Sequence, residues 1–309
     1  MKTNQYVRTA VIQAAPIIMD REKTLNKALD LIKEAKNEQA EIVVFPEAFI
    51  PAYPRGLSFG YLVGSRTMEG RNDFLRYYKN AVPVPGDTTE KLGEAARKAG
   101  IYLVIGVTEI DTEKNNNTLY CTILYFGPDG RLLDKHQKLK PTGSERLIWG
   151  EGDGSTLSVV NTPHGKLGGL ICWENYMPLA RTAMYQKGVS LYVAPTADAR
   201  SVWQSTIRHI ALEGRCYVLS CNQFVTKDMY PDDLEYYHEL QNQPNIMCSG
   251  GSAIVNPMGE YVVEPVYNKE EMLLADLNMD LVIKGKMDFD VVGHYDRTDV
   301  FQLKINENE

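Results

Sequence analysis

Two periods of apolar spacing run through this chain, and they divide it into strands and helices. Residues 7–14 read as a buried strand. Beyond Asp20, which is placed to cap a helix, Leu25, Ala28, Leu29, Ile32 and Ala35 recur at helical spacing. Residues 41–45 return to a short β-branched strand that Pro46 must end. The result is a β-α-β unit with Glu47 just past the carboxyl end of its second strand. Ligand sites of open α/β sheets gather at that end.

The same reading continues downstream. Residues 51–80 form a glycine- and aromatic-rich excursion with a helix over 71–79. A second amphipathic helix covers 89–99, with Gly100 at its C-terminal cap position. Strands are expected at 102–107, 118–126 and 131–139, the last two joined through Gly127-Pro128-Asp129-Gly130. Residues 157–160 and 167–172 flank a further turn. Pro178 suits the first turn of a helix ended by Gly188, with Leu179, Ala183 and Met184 on its inner face. A strand at 191–194, a helix at 200–214 with Trp203, Ile207, Ile210 and Ala211 on one side, and a strand at 217–221 follow. Residues 224–250 are an acidic, tyrosine-rich second excursion. Strands at 252–255, 261–264 and 272–277 precede a polar tail from about 280. We expect one domain over 1–309, with helices packed outside sheets.

Composition narrows the partners. The 309 residues carry a formal charge of −7, with no basic tract, which disfavours nucleic acid and anionic membranes. No leader-like apolar run opens the chain, and no stretch is long enough to cross a membrane. The five cysteines include no CxxC pair, so neither a disulfide framework nor a metal site is expected, and the scattered histidines agree. Gly150, Gly152 and Gly154 lack the spacing of a phosphate loop, so no cofactor is expected either. A reducing, cytoplasmic setting suits a chain whose chemistry rests on a free thiol.

That thiol is Cys172, in Leu170-Ile171-Cys172-Trp173-Glu174-Asn175, where a strand gives way to a helix. Backbone N–H groups near a helix N-terminus favour a thiolate and any oxyanion formed beside it. Glu47 is a candidate general base, provided that burial raises its basicity. Lys138, in His136-Gln137-Lys138-Leu139-Lys140-Pro141, is a compact cation for developing negative charge. Each has a plainer reading alone: a strand end, a surface base, a buried core cysteine.

Together these segments resemble the nitrilase branch of the carbon–nitrogen hydrolase superfamily over about residues 7–303. The likeness lies in Phe45-Pro46-Glu47-Ala48-Phe49, His136 to Thr142, Glu145-Arg146, Trp149-Gly150-Glu151-Gly152-Asp153-Gly154, Cys172-Trp173-Glu174-Asn175, Ala194-Pro195-Thr196-Ala197-Asp198 and Gly293-His294-Tyr295. Gln137 departs from the family's usual arginine. The resemblance implies a Glu47–Lys138–Cys172 triad, with Glu145 as a second glutamate that positions substrate or lysine. It also implies that Tyr53, Trp173, Thr196 and Ala197 line the substrate site. The implied fold is a four-layer α/β sandwich, αββα, two of which stack into an extended αββα–αββα unit when subunits pair. The helix after Cys172 would supply part of that interface, through Met177, Leu179, Met184 and Tyr185. The excursions at 51–80 and 224–250 would support larger spiral homo-oligomers.

The implied reaction converts a nitrile to a carboxylic acid and ammonia through a cysteine thioimidate and thioester. An amidase, carbamoylase or cyanide hydrolase would use the same residues. An inactive scaffold on this fold would be expected to lack one of the three.

Overall fold

The computed structural model describes residues 5–112 and 117–308; the opening residues read above for a leader lie partly outside them. Among the described residues, fourteen strands form two mixed seven-stranded sheets. The first contains β1 (Tyr6–Gln13), β2 (Ile42–Val44), β3 (Val82–Val84), β4 (Tyr102–Asp111), β5 (Leu119–Phe126), β6 (Leu132–Gln137) and β14 (Glu271–Asn278). Its order is β14-β1-β2-β4-β5-β6, with β3 paired to the far end of β4. The second contains β7 (Val159–Thr162), β8 (Gly165–Gly169), β9 (Val189–Pro195), β10 (Tyr217–Cys221), β11 (Phe224–Thr226), β12 (Ile246–Val255) and β13 (Tyr261–Tyr267). Its order is β11-β12-β10-β9-β8-β7, with β13 also on β12.

Apolar side chains assign the layers. Along β1, Val7 and Val11 point between the sheets, where they join Val44, Val104, Ile123, Val193 and Leu219. Ala10 and Ile12 point the other way, onto Ala28 and Ile32 of α1 (Arg21–Asn37). This is the two-residue period of a strand buried on both faces. The stretch Met68–Asn80 is α2, and α3 (Asp87–Ala99) packs beside α1 through Leu92 and Ala96. On the second sheet, Met184 of α4 (Pro178–Gln186) and Ile207 and Ile210 of α5 (Val202–Gly214) cover Tyr192 and Val218. The arrangement is an α-β-β-α sandwich, as the resemblance implied. Two short helices, α6 (His238–Gln241) and α7 (Asp280–Gly285), complete the elements.

One irregularity serves the site. Along a single edge of β4, β2 pairs at residues 102–104 and β3 at 109–111. Between them the chain leaves the sheet after Phe45 and touches it again at Ile50, opposite Val107. Glu47 sits in that gap. Gly106 makes room for it, because an added Cβ would stand 2.2 Å from Pro46 O and 2.8 Å from Glu47 Cα.

Several boundaries differ from expectation. The short β3, with Pro83 at its centre, carried no readable period and was not anticipated. Strand β12 starts at Ile246, so the end of the second excursion is sheet. Leu179, assigned to the inner face of its helix, is instead 67% exposed, because α4 turns Ala180, Ala183 and Met184 inward. The tail is not free. Glu307 pairs with Lys187 at 2.6 Å, and Asn306 O lies against Gly154.

Candidate active site

Lys138 follows the last residue of β6 and stays in the ladder, its N–H donating to Cys121 O at 2.8 Å. Its side chain therefore runs inward between the sheets, and the residue is only 1% exposed. Glu145 lies on a tight turn at Gly143–Leu147, where its carboxylate accepts from Thr142 N–H at 2.6 Å. Lys138 Nζ donates to Glu47 Oε1 at 2.6 Å and to Glu145 Oε2 at 2.8 Å. Tyr53 OH donates to the other Glu145 oxygen at 2.7 Å. The neighbouring Arg146 does not pair with Glu145; its Nε donates to Gly143 O.

Cys172 opens a single tight turn (Cys172–Tyr176) after β8, with φ +51°, a left-handed conformation that needs local support. Glu174 and Asn175 provide it. Glu174 is buried and accepts from Ile171 N–H at 2.7 Å, from Leu139 N–H at 2.6 Å and from His136 Nε2 at 2.9 Å. One carboxylate thus ties the cysteine turn to the segment that carries Lys138. Asn175 Nδ2 donates to the carbonyls of Leu170 and Cys172, each at 2.9 Å. Thr196 donates its hydroxyl to Cys172 Sγ at 3.1 Å.

Burial sets the proton positions. It pushes the Cys172 thiol up to about 12, and the nearby Glu47 charge adds to this against the opposing pull of Lys138. The resting group is therefore a thiol rather than the thiolate that the helix-terminus argument favoured. Burial also raises Glu47, against the opposing pull of Lys138. Burial works against the Lys138 ammonium, but Glu47 and its neighbours hold it well above its ordinary value. Lys138 is thus a fixed cation between two carboxylates. Glu47 Oε1 is held by Lys138, whereas Oε2 is buried with no hydrogen-bond partner among the described residues. The Cys172 thiol lies near enough to steady the Glu47 charge, although no full hydrogen bond forms between them.

Cys172 opens on a cavity of about 390 Å³, which Tyr53, Glu145, Trp173 and Ala197 also line. Thr196 stands behind the thiol, and Lys138 lies beneath the floor, reached through Glu145. The Trp173 indole donates to Asp198 Oδ2 at 2.9 Å, and Arg200 stacks over its ring at 4.8 Å. The four residues expected to carry chemistry converge here. Of the four expected to line the site, Thr196 touches the sulfur rather than the cavity.

Sequence reasoning overlooked Arg55, which lines the same cavity two positions beyond Tyr53. The signal was a cation in an excursion already marked by its neighbours. It also gave Glu174 no role, although a glutamate two residues past a nucleophile invites one. Gln137, the departure from the family pattern, points away from the triad and donates to Glu109 and Asp111, each at 3.1 Å.

A family model described as carbon–nitrogen hydrolase matches residues 8–286. An aliphatic nitrilase of Sinorhizobium fredii (strain HH103) is 53% identical over 301 residues, covering 97% of this chain and 96% of that one. A bifunctional nitrilase/nitrile hydratase of Lupinus angustifolius, NIT4A, is 50% identical, with 98% and 86% covered. Among solved structures, a carbon–nitrogen hydrolase from Helicobacter pylori G27 superposes with a TM-score of 0.74 at 19% identity, covering 97% of this chain and 98% of that one. At that identity the likeness speaks for the fold.

Proposed function

The chain belongs to the carbon–nitrogen hydrolase family, its relatives at about half identity are nitrilases, and we propose that its buried triad performs that hydrolysis as follows. Cys172 attacks the nitrile carbon while its proton passes to the free Oε2 of Glu47. The S–C bond forms, one C–N π bond breaks, and the nitrogen takes a proton to give a thioimidate. Lys138 and the Trp173 N–H counter the charge that develops. Water adds to the carbon, its proton moving to nitrogen through Glu47, and ammonia leaves a thioester. A second water, deprotonated by Glu47, releases the acid and returns the thiol. Covalent catalysis divides one slow hydration into easier steps.

The observation that carries this reading is the divided Glu47 carboxylate. One oxygen is pinned by Lys138, the other is buried and unpartnered among the described residues, and the carboxylate lies near the Cys172 thiol. A base so held is positioned before substrate arrives. Glu145 fixes Lys138 from the opposite side and is a positioning residue. If sulfur departs before ammonia, the product is the amide, and the bifunctional names of several relatives favour this as a side outcome.

Exposed Tyr176, Met177, Leu179 and Val202 lie on the outer face of the α4–α5 layer, and this surface pairs two copies of the chain. Met184 and Tyr185, expected to contribute to that interface, are buried within the subunit instead. A reducing cytoplasm fits five free cysteines.

The test is ammonia release from aliphatic and aromatic nitriles, cyanide and the matching amides. Faster turnover of nitriles than of their amides supports the reading. The reverse order would make the protein an amidase.

A further inference from the structure

Resting on the nitrilase reading, we propose that Arg55 is an anion-binding residue of the substrate pocket, and that the preferred nitrile carries a carboxylate at the end remote from the cyano group.

The cavity around Cys172 is lined by two cations, Arg55 and Arg200. Arg200 is committed. It chelates Asp198 through Nε at 2.8 Å and Nη2 at 2.5 Å, and most of its side chain lies in solvent. Arg55 is not. Among the described residues, no carboxylate lies within ion-pair distance of its guanidinium. Its Nη2 donates to the Ala197 carbonyl and, at 3.8 Å, to Cys248 Sγ, and its plane lies over the Tyr53 ring at 5.3 Å. Tyr230 OH holds the Arg55 carbonyl at 2.8 Å, so the backbone that carries it is anchored.

These contacts engage Nη2 and leave Nε and Nη1 as two separate free donors. Arginine has five N–H donors in a rigid fork, and Nε and Nη1 have no hydrogen-bond partner among the described residues. Neither atom belongs to the buried, unpartnered set, so both reach open space. A half-buried cation with no counter-ion, held at Nη2 and with Nε and Nη1 open, is an expensive arrangement unless a ligand completes it. A carboxylate oxygen can accept a charge-assisted hydrogen bond from either free N–H, beside a cation that no protein carboxylate neutralises.

The carboxylates of the pocket do not oppose this. Glu47 and Glu145 share Lys138, while Asp198 is taken by Arg200 and Trp173. The pocket therefore presents a reacting pole at Cys172 and an anion pole at Arg55. A nitrile with a carboxylate spans the two, and its product is a dicarboxylic acid.

The experiment uses the full chain, with β-cyanopropionate, its methyl ester and butyronitrile as probes. In the unmodified protein, kcat/KM for the carboxylate should exceed that for the ester by about tenfold or more. In Arg55→Gln that ratio should fall by about 10- to 100-fold, mainly through KM of the carboxylate, and Arg55→Lys should restore part of it. A ratio unchanged in Arg55→Gln overturns the proposal even if all nitriles are turned over.

A second readout needs neither turnover nor a variant. Succinate, but not succinamide, should slow alkylation of Cys172 by iodoacetamide, read by peptide mass. Equal protection by the two contradicts the anion site. If succinate protects while no nitrile is hydrolysed, the nitrilase reading falls and the anion site stands.

Discussion

At the scale of single residues, the account turns on what burial does to three titratable groups. Lys138 stays charged because two carboxylates hold its ammonium, and Cys172 stays protonated because burial disfavours its thiolate. Neither can serve as base, which leaves Glu47. Glu47→Gln keeps the shape and the Lys138 contact but removes the proton acceptor. Its kcat should fall by about 10²–10⁴ with the fold intact, as read by ammonia release and circular dichroism. The pH profile follows from the same shifts. Glu47 must be ionised to act and its folded value is raised above 4.5, so the acid limb of kcat/KM should lie above that value. The thiol near 12 places no limb at neutral pH. A rate that keeps rising through the ordinary thiol value of about 8.5 would show instead that Cys172 reacts as a thiolate of ordinary pKa. Glu174 belongs to this scale too. It touches no substrate, yet it holds both the cysteine turn and the Lys138 strand. Glu174→Gln should lower kcat by about tenfold to a hundredfold with KM little changed, because small misplacements at a reacting centre are costly. Slower alkylation of Cys172 in the same variant would separate this effect from a general loss of stability.

Elements decide whether those residues meet. Glu47 reaches the site because the chain leaves the β4 edge between β2 and β3, and Gly106 leaves space for that departure. Gly106→Ala should displace Glu47 and depress both activity and melting temperature, measured by ammonia release and thermal denaturation. Full activity with an unchanged melting temperature would show that the gap closes without cost. The buried His136–Glu174 pair links β6 to the cysteine turn. Burial disfavours the imidazolium, but Glu174 outweighs it and holds His136 above 6.5. A histidine raised on folding adds stability that is complete below 6.5 and drains as pH rises through the folded value. The urea midpoint should therefore decline on the alkaline side, and His136→Gln should flatten that decline.

The same elements show what the sequence made legible. Strands β1 and β5 and helices α1, α3 and α5 carry long apolar patterns, so their existence was readable, with boundaries displaced by a residue or two. The tight turn at Cys172–Tyr176 was readable only as a junction, because a left-handed cysteine leaves no trace in composition. Glu47, Lys138, Glu145 and Cys172 were found through their motifs, whereas their convergence depends on pairings between distant strands. Arg55 went unnoticed for the same reason. Its significance is the carboxylate it lacks, and no local pattern reports an absent partner. Leu179 was misassigned because a nine-residue helix offers too few turns to tell its two apolar sides apart.

For the whole molecule, the two sheets enclose the triad and the outer layers meet solvent or another copy. If the proposed pairing holds, the exposed apolar residues beside α4 and α5 belong to the second case, and Leu179→Asp should shift the protein toward monomer in size-exclusion chromatography with light scattering. An unchanged mass would move the interface elsewhere. The deeper claim is that an attacking sulfur, its proton acceptor and a fixed cation act as one unit inside this shell. Intact-mass spectrometry of the protein quenched during turnover of a nitrile tests it most directly. The account predicts an adduct of acyl or imidoyl mass, mapped to the Cys172 peptide and absent from Cys172→Ala. Steady ammonia release from Cys172→Ala, or an adduct confined to another cysteine, would contradict it.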